Sequence, residues 1–284
     1  TMPYYNVGSC SKFIQYLAII WMEKLRLPFA SLWYDAWKKN LNEYEQVILF
    51  DRIWGDRILD YIHKKNPNLK ILMWLWNPVN EKTKKIIDNK NFVEFWSFDD
   101  NDCKKYNLRK NVQFYFRMNS KEEVSSNKQI CFVGADKGRI EKIKNVQYQL
   151  HSLGYITDFQ VLVGKRYNKF SNDSSIKYLK SPLKYAEIIN IINNSFCILD
   201  ITQEGQEGLT LRALEALFFE KKLITFNSNI KNQIFYNENN IFVIKENNDV
   251  KLLEEFLKKP YAKINDEIKQ KYLFDTWLKN FDVR

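Results

Sequence analysis

The chain has 284 residues but few of the types that build metal and redox sites, with four cysteines and two histidines. The cysteines form no C-x2-C pair, which argues against a zinc ribbon or a dithiol motif and favours small core residues in a reducing compartment. No apolar run reaches the roughly 18 residues that a membrane-spanning helix needs, and no cleavable signal is evident. Neither histidine has a nearby acid that would orient it as a base. We therefore expect a cytoplasmic protein whose chemistry does not rest on cysteine or histidine.

The formal net charge of +10 favours an anionic partner. We expect no nucleic acid, because the sequence has no zinc finger, aromatic RNA-binding signature or basic helical arm. A basic RNA-binding protein would have to show steep salt dependence of its RNA affinity. The predicted helix from Ser11 to Leu27 mixes aromatic and basic residues, so it is either a core helix or an interfacial one. In the second case the protein would contact the anionic inner face of the cell membrane.

Short apolar segments alternate with helical patterns along the chain, which predicts an α/β fold with parallel sheets. The N-terminal strand candidates are QVILF, ILMWLW, VEFWSF and VQFYF, with helices at Ile53 to Lys64 and Glu81 to Asn89. The polar stretch from Arg117 to Gln129 is the predicted linker. A second α/β run starts at ICFVG and closes with a helix from Asn265 to Asn280. TMPYYNVGSC stands where a first strand and loop are expected, so that strand is either absent or begun before this sequence.

The richest segment, from Phe196 to Phe226, predicts a buried strand FCILDI, a polar turn, a helix from Gly208 to about Phe219 and a second strand. A helix start after a parallel strand offers free N–H groups to a phosphate. At helical spacing Arg212 and Glu215 lie one turn apart, so they offer a guanidinium to an anion and a carboxylate to a hydroxyl. The alternative is an Arg212–Glu215 ion pair that binds no ligand.

A second candidate phosphate contact is ICFVGADKGR, a buried strand that ends in a glycine turn. Lys137 and Arg139 lie at the tip of this turn, where ligands bind in open parallel sheets. We expect Arg139 to contribute more than Lys137, because a guanidinium binds phosphate in a bidentate manner. The alternative is a solvated turn that leads into a helix.

The segment EGLTLRALE, with Glu207 and Glu215, has the E-x7-E spacing of many GT-B glycosyltransferases and resembles that family. The resemblance implies two Rossmann-like domains facing each other across a cleft: residues 1–120 on the acceptor side, 129–262 binding the nucleotide sugar, and a helix at 263–284 returning to the first domain. It also implies that Glu207 lies near the donor sugar and that Glu215 holds the ribose. The expected catalytic residues are Glu207, Asp51 and Arg212, and the expected donor-binding residues are Gly134, Lys137, Arg139, Glu204, Gly205, Gln206, Gly208, Leu209, Thr210, Arg212 and Glu215.

The function that the resemblance implies is transfer of a hexose-like sugar from a nucleoside diphosphate donor, with a UDP-sugar expected, to a saccharide or lipid-linked saccharide acceptor. The setting would be assembly of bacterial surface polysaccharide, with no cofactor required and with retention of configuration. An inverting mechanism that uses Asp51 or Asp56 stays open. Two other hypotheses are a noncatalytic nucleotide-sugar-binding subunit and a metal-dependent GT-A transferase that uses the D-x-D pair Asp100 and Asp102.

Overall fold

The computed structural model describes residues 30–51, 56–117, 128–166, 175–202, 207–245 and 250–281, together with Leu17 and Ile20. The chain divides into two compact units, Thr1–Asn111 and Val112–Arg284. The predicted helix from Ser11 to Leu27 and most of the predicted linker lie outside the described residues. Within the described ranges, no helix has the length and apolar character needed to cross a bilayer. The predicted domain limits of 1–120, 129–262 and 263–284 stay predictions.

The N-terminal unit contains a parallel four-stranded sheet whose strands lie side by side in chain order. Its second strand is nearly all buried, which explains the continuous apolar run ILMWL. Asn80 and Asp99 begin two helices as N-caps, each accepting two backbone N–H bonds. The elements are β1 (Gln46–Phe50), α1 (Arg57–Lys65), β2 (Lys70–Leu75), α2 (Glu81–Asn89), β3 (Val93–Ser97), α3 (Asp100–Tyr106) and β4 (Arg109–Lys110), preceded by 3-10 turns at Ala30–Trp33, Ala36–Lys39 and Leu41–Glu43.

The prediction that VQFYF forms the fourth strand is wrong. The fourth strand is β4, which pairs with Trp96 and Ser97 of β3. In residues 112–116 the only strand-like pairing among the described residues is an isolated bridge from Tyr115 to Leu273. The apolar alternation in VQFYF has another cause, since Phe114 packs against Trp277 with a ring-centroid distance of 4.3 Å.

The C-terminal unit contains a parallel six-stranded sheet, whose strands lie in the order β10 (Ile241–Val243), β9 (Lys222–Thr225), β8 (Cys197–Asp200), β5 (Gln129–Ala135), β6 (Ile156–Leu162) and β7 (Lys177–Leu179). Its first strand therefore lies inside the sheet, with β6 and β7 on one side and β8, β9 and β10 on the other. Connections of this kind make a doubly wound sheet. The helices are α4 (Ile140–Ser152), α5 (Tyr185–Asn193), α6 (Leu211–Phe218), α7 (Val250–Lys258), α8 (Asp266–Gln270) and α9 (Phe274–Lys279), with 3-10 turns at Gly164–Arg166 and Ser228–Asn232.

Both faces of the six-stranded sheet are covered by helices. In β8, Cys197 and Leu199 pack with α4 and α7, whereas Ile198 packs on the opposite face with α5 and α6. This alternation follows from the two-residue period of a strand. All four residues of β8 are buried, as the apolar run FCILD predicts.

The closing segment differs from the single helix predicted at Asn265 to Asn280. The structure has two short helices, α8 and α9, separated at residues 271–273. At this break the backbone pairs with Tyr115, near the start of the same unit. The Tyr115 N–H donates to the Tyr272 carbonyl, and the Phe274 N–H donates to the Tyr115 carbonyl. These two bonds use backbone groups at the break that a continuous helix would have used internally.

Candidate functional site

The candidate site lies where the strand order of the six-stranded sheet reverses. β5 and β8 are neighbours, with Ile130 opposite Cys197 and Cys131 opposite Ile198. From β5 the chain passes through α4 to β6 on one side of this pair, and from β8 it passes through α6 to β9 on the other side. The connections after these two strands therefore diverge at the carboxyl edge of the sheet. Ligands of open α/β sheets bind in the crevice at this kind of reversal. The basic turn after β5 and the E-x7-E segment after β8 are thereby brought to one place.

Arg139 ties together the ends of the two central strands. Its guanidinium group donates to the backbone carbonyls of Ala135, Asp136 and Ile201. Burial lowers the pKa of Arg139, and nearby carboxylates act against this change. Since three of the five N–H donors of a guanidinium are used in this way, few remain for a ligand. The expectation that Arg139 leads Lys137 in phosphate contact stays a prediction, and this geometry does not favour it.

Gly134 lies directly beneath the Arg139 side chain. A Cβ atom at this position would lie 2.9 Å from the Phe132 ring and 3.3 Å from Arg139 Nη2. A side chain at this position would therefore displace the Phe132 ring and crowd the guanidinium group. Gly134 thus makes room for the Phe132 ring and the Arg139 side chain, and a donor contact by Gly134 stays a prediction.

Lys137 projects from the tip of the turn after β5. Its backbone has a φ of 45°, and the following Gly138 has a φ of 80°. The buried Asp136 stabilises this turn, because its carboxylate accepts bonds from the N–H groups of Gly138 and Arg139. Lys137 is exposed, while partial desolvation and the nearby Arg139 lower its pKa. Its ammonium group is therefore better placed than Arg139 to contact an anion.

Helix α6 begins later than predicted, at Leu211 rather than Gly208. Thr210 is its N-cap, and the Thr210 hydroxyl accepts a bond from the Ala213 N–H. The same hydroxyl donates to Asp200 at 3.0 Å, as does the Thr225 hydroxyl. Burial raises the pKa of Asp200, and its two hydroxyl partners and the arginines Arg212 and Arg139 act against that rise. Asp200 thus joins the ends of β8 and β9 to the start of α6.

Arg212 and Glu215 form an ion pair inside the first turns of α6. Arg212 Nη1 donates a hydrogen bond to Glu215 Oε2. Arg212 Nε donates a second bond to the Val133 carbonyl of β5 at 3.2 Å. The Glu215 side chain is 0% exposed and the Arg212 side chain 19%. Tyr185 donates to Glu215 Oε1 at 3.0 Å, and burial raises the pKa of Glu215 while Arg212 lowers it. A ribose contact by Glu215 stays a prediction that requires one of these partners to move.

Glu207 is exposed in the loop that leads into α6, next to the buried residues Gly208 and Leu209. Asn227, which follows β9, donates to the carbonyls of Glu207 and Gly208, and Asn229 donates to the Glu207 carboxylate. Three predicted donor-binding residues lie outside the described ranges, namely Glu204, Gly205 and Gln206.

In the N-terminal unit, two residues that follow neighbouring strands are in contact. Asp51 follows β1 and Asn77 follows β2, and the Asn77 backbone and side-chain amides donate to Asp51 Oδ2 at 3.0 and 3.2 Å. Asp56 instead forms an ion pair with Lys90 at 3.1 Å.

The D-x-D pair has partners within the N-terminal unit. Asp102 is buried in the first turn of α3 and accepts the Val79 N–H at 2.8 Å, and burial raises its pKa. Asp100 forms an ion pair with Lys110. Among the residues that the structure describes, no group of three or more His, Cys, Asp or Glu side chains is arranged to hold a metal ion. Through its bond to Val79, Asp102 links α3 to the loop before α2, and the metal-dependent alternative stays a hypothesis.

Asp200, Tyr185 and Asn227 are site residues that the sequence analysis did not single out. Asp200 and Asn227 were detectable in principle, because each lies at or just after the end of a strongly apolar strand. Tyr185 carries no such signal, since it begins a helix and reaches Glu215 only through the packing of α5 beside α6. Burial raises the pKa of Tyr185, and the adjacent Glu215 raises it further.

Comparisons with known proteins show which fold this is. A scan against protein-family models and a search of curated protein sequences both found no match. Among solved structures, a glycosyltransferase from Rickettsia africae is 14% identical with a TM-score of 0.53, over 98% of this chain and 82% of that chain. Sucrose-phosphate synthase from Thermosynechococcus elongatus is 8% identical with a TM-score of 0.53, over 87% and 75%. A glycosyltransferase involved in avilamycin A biosynthesis is 9% identical with a TM-score of 0.50, over 84% and 96%.

These similarities establish the predicted fold class. The chain is an α/β protein with two parallel sheets, of four and six strands, which match GT-B folds. At such low identity they show the fold alone.

Proposed function

We propose that this protein is a glycosyltransferase that takes a sugar from a nucleoside diphosphate donor bound at the carboxyl edge of the six-stranded sheet. The observation that carries the proposal is the convergence of the β5 turn and the E-x7-E segment where the strand order reverses. Lys137 projects from the first, and Glu207 and Arg212 belong to the second. A fold alone does not define a reaction, so the proposal depends on the chemistry of these side chains.

The positive charge at this edge suits a departing diphosphate. Glycosyl transfer develops positive charge on the sugar ring and negative charge on the leaving group. Lys137 and the partly exposed Arg212 supply cations, and the first turn of α6 supplies backbone N–H groups. Arg139 contributes mainly through its charge, because its donors are bonded to carbonyls. The reaction that we propose therefore needs no divalent cation.

Glu207 is the carboxylate that we propose to face the transferred sugar, because it is exposed and its carboxylate is oriented by Asn229. We assign Glu215 a different role from the one that the resemblance implies. Its full burial favours a counter-ion that fixes Arg212. In the N-terminal unit Asp51 remains the candidate for an acceptor contact, since Asn77 holds its carboxylate at a strand end.

The expected donor is a UDP-sugar, and the expected acceptor is a saccharide or lipid-linked saccharide of a bacterial surface polysaccharide. The E-x7-E resemblance favours retention of configuration. These finer assignments extend the proposal and are tested with it.

A ligand screen followed by turnover tests the proposal. Purified protein is heated with UDP, GDP, CDP and CMP sugars, and a ligand at 100 times its Kd should stabilise it by about 2.7 kcal/mol. With that donor, Glu207→Ala should lower turnover of donor without changing the affinity for the nucleoside diphosphate. Glu267→Ala removes an exposed carboxylate from another helix and is the matched control.

The outcomes distinguish the proposed enzyme from a noncatalytic binding subunit and from a protein that binds no nucleotide sugar. Stabilisation without turnover by the purified chain would favour the noncatalytic nucleotide-sugar-binding subunit. The absence of stabilisation by every nucleotide sugar would contradict the proposal.

A further inference from the structure

The loop that carries Glu207 is held by a buried side chain from the next strand connection. Asn227 is 7% exposed, and its Nδ2 donates to the carbonyl oxygens of Glu207 and Gly208, each at 3.1 Å. Residues 207–210 belong to no helix or strand. One side-chain amide thus fixes two consecutive peptide groups directly before α6.

A second asparagine acts on the carboxylate itself. Asn229 Nδ2 lies 3.3 Å from Glu207 Oε2, and the Asn229 N–H donates to Asn227 Oδ1 at 3.0 Å. We call Asn227 and Asn229 the asparagine clamp. Asn227 orients the backbone at Glu207, and Asn229 orients the carboxylate.

The clamp is anchored in the core of the sheet. The Asn227 N–H donates to the Thr225 hydroxyl at 3.1 Å, and that hydroxyl donates to the buried Asp200 at 3.0 Å. Asp200 also accepts the hydroxyl of Thr210, the N-cap of α6. The position of Glu207 is therefore tied to β8, β9 and α6 rather than left to the loop.

We propose that Asn227 is a positioning residue that holds Glu207 in the orientation needed for sugar transfer, a claim that rests on the proposed function. The alternative is that Asn227 only caps the 3-10 turn Ser228–Asn232. That capping role uses Oδ1 alone, and Asp or Ser would fill it equally well. Only the amide of asparagine also provides the two N–H donors that Glu207 and Gly208 receive. The identity of the side chain is thus explained by the clamp and not by the cap.

Asn227→Asp separates the two roles, because the carboxylate keeps the cap and removes the donors. The matched control is Asn240→Asp. The buried Asn240 lies directly before β10, where its side-chain amide accepts a bond from the Ala262 N–H and donates one to the Ala262 carbonyl. Both variants lose a buried amide donor, but only the first acts on Glu207. Asn229→Ala, at a partly exposed position, is the second variant in case Asn227→Asp does not fold.

Three measurements are made on the full chain: amide hydrogen exchange, affinity for the nucleoside diphosphate, and turnover of the donor found in the screen. Asn227→Asp should increase exchange at residues 207–213 and lower turnover by about tenfold or more, the effect of losing well-made hydrogen bonds. Its Kd for the nucleoside diphosphate should stay within about twofold of wild type, since only the sugar-facing residue is displaced. Asn229→Ala should lower turnover in the same direction with unchanged exchange, and Asn240→Asp should match wild-type turnover.

Two failures are distinguishable. If wild-type protein binds no nucleotide sugar, the proposed function is overturned, while increased exchange in Asn227→Asp alone would still support the clamp. If wild-type protein turns over its donor and the Asn227 and Asn229 variants match it, the positioning role is overturned and the function stands. Equal loss of turnover in Asn240→Asp would also overturn the inference, because it would reduce the effect to general destabilisation.

Discussion

Removing the Arg212 charge should destabilise the C-terminal unit in a pH-dependent way. The Glu215 carboxylate is 0% exposed, and its cation partner is Arg212. Breaking a buried pair by removing one partner destabilises by about 3–5 kcal/mol, because the other charge is left in a poorly solvating environment. Tyr185 still donates to Glu215 in an Arg212→Met variant, so we expect a loss near the lower limit, about 3 kcal/mol at pH 8.

The pH dependence follows from the pKa of Glu215. Burial already raises this pKa, and Arg212 limits the rise, so the substitution should raise the folded-state pKa further. The folded state then holds a proton that the unfolded state has released. Stability of the variant is therefore greatest below the unfolded pKa and falls as the pH rises through the folded pKa. Each additional unit of pKa contributes about 1.4 kcal/mol to this difference.

The assay is urea unfolding at pH 5 and pH 8, followed by hydrogen exchange of the α6 amides, which report on the C-terminal unit. The control is Arg212→Met combined with Glu215→Gln, which removes the uncompensated carboxylate and should recover about 2 kcal/mol at pH 8. A loss below about 1 kcal/mol, or an equal loss at both pH values with no recovery in the double variant, would refute the reasoning.

Three further predictions concern the edge of the sheet and the D-x-D pair. Lys137→Gly, which suits the positive φ, should leave the melting temperature unchanged, while calorimetric titration shows nucleoside diphosphate binding weakened by about 1.5–3 kcal/mol and nucleoside binding intact. Gly134→Ala should lower the unfolding free energy by about 1–3 kcal/mol, measured in urea, because its Cβ would meet the Phe132 ring. Sugar transfer should persist in EDTA. The double variant Asp100→Ala with Asp102→Ala should have a lower melting temperature but unchanged affinity for the donor. Loss of donor binding both in EDTA and in the double variant would favour the metal-dependent alternative.

Much of the fold was predictable because buried parallel strands leave a strong signal. The apolar runs at QVILF, ILMWL and FCILD form strands within a residue or two of their predicted limits. VQFYF carries the same signal for a different reason, since its aromatic rings pack against α9. Composition records that a segment is buried, but not whether its backbone pairs with a neighbouring strand.

The two segments that form the candidate site were recognisable in the sequence, but the partners of their charged side chains were not. The sequence identified Lys137 and Arg139 after a strand and Arg212 by its helical spacing, and all three follow β5 or β8, where the strand order reverses. Which of these cations is available to a ligand depends on the tertiary structure. The Arg139 guanidinium is bonded to carbonyls at the ends of two strands that become neighbours only in the folded sheet. The Asn227 contact with Glu207 likewise joins residues from two separate loops.

The pairing of Tyr115 with residues 272–274 has a consequence for how the C-terminal unit reaches its native state. The two partners are about 160 residues apart in sequence, so they raise the contact order of this unit and slow the step that joins them. During synthesis Phe114 and Tyr115 emerge early, while Tyr272 and Trp277 are still to be translated. The Phe114 and Phe116 rings, which pack on Phe274 and Trp277, therefore complete their packing only after α9 has been translated, and we expect them to be exposed to chaperones until then.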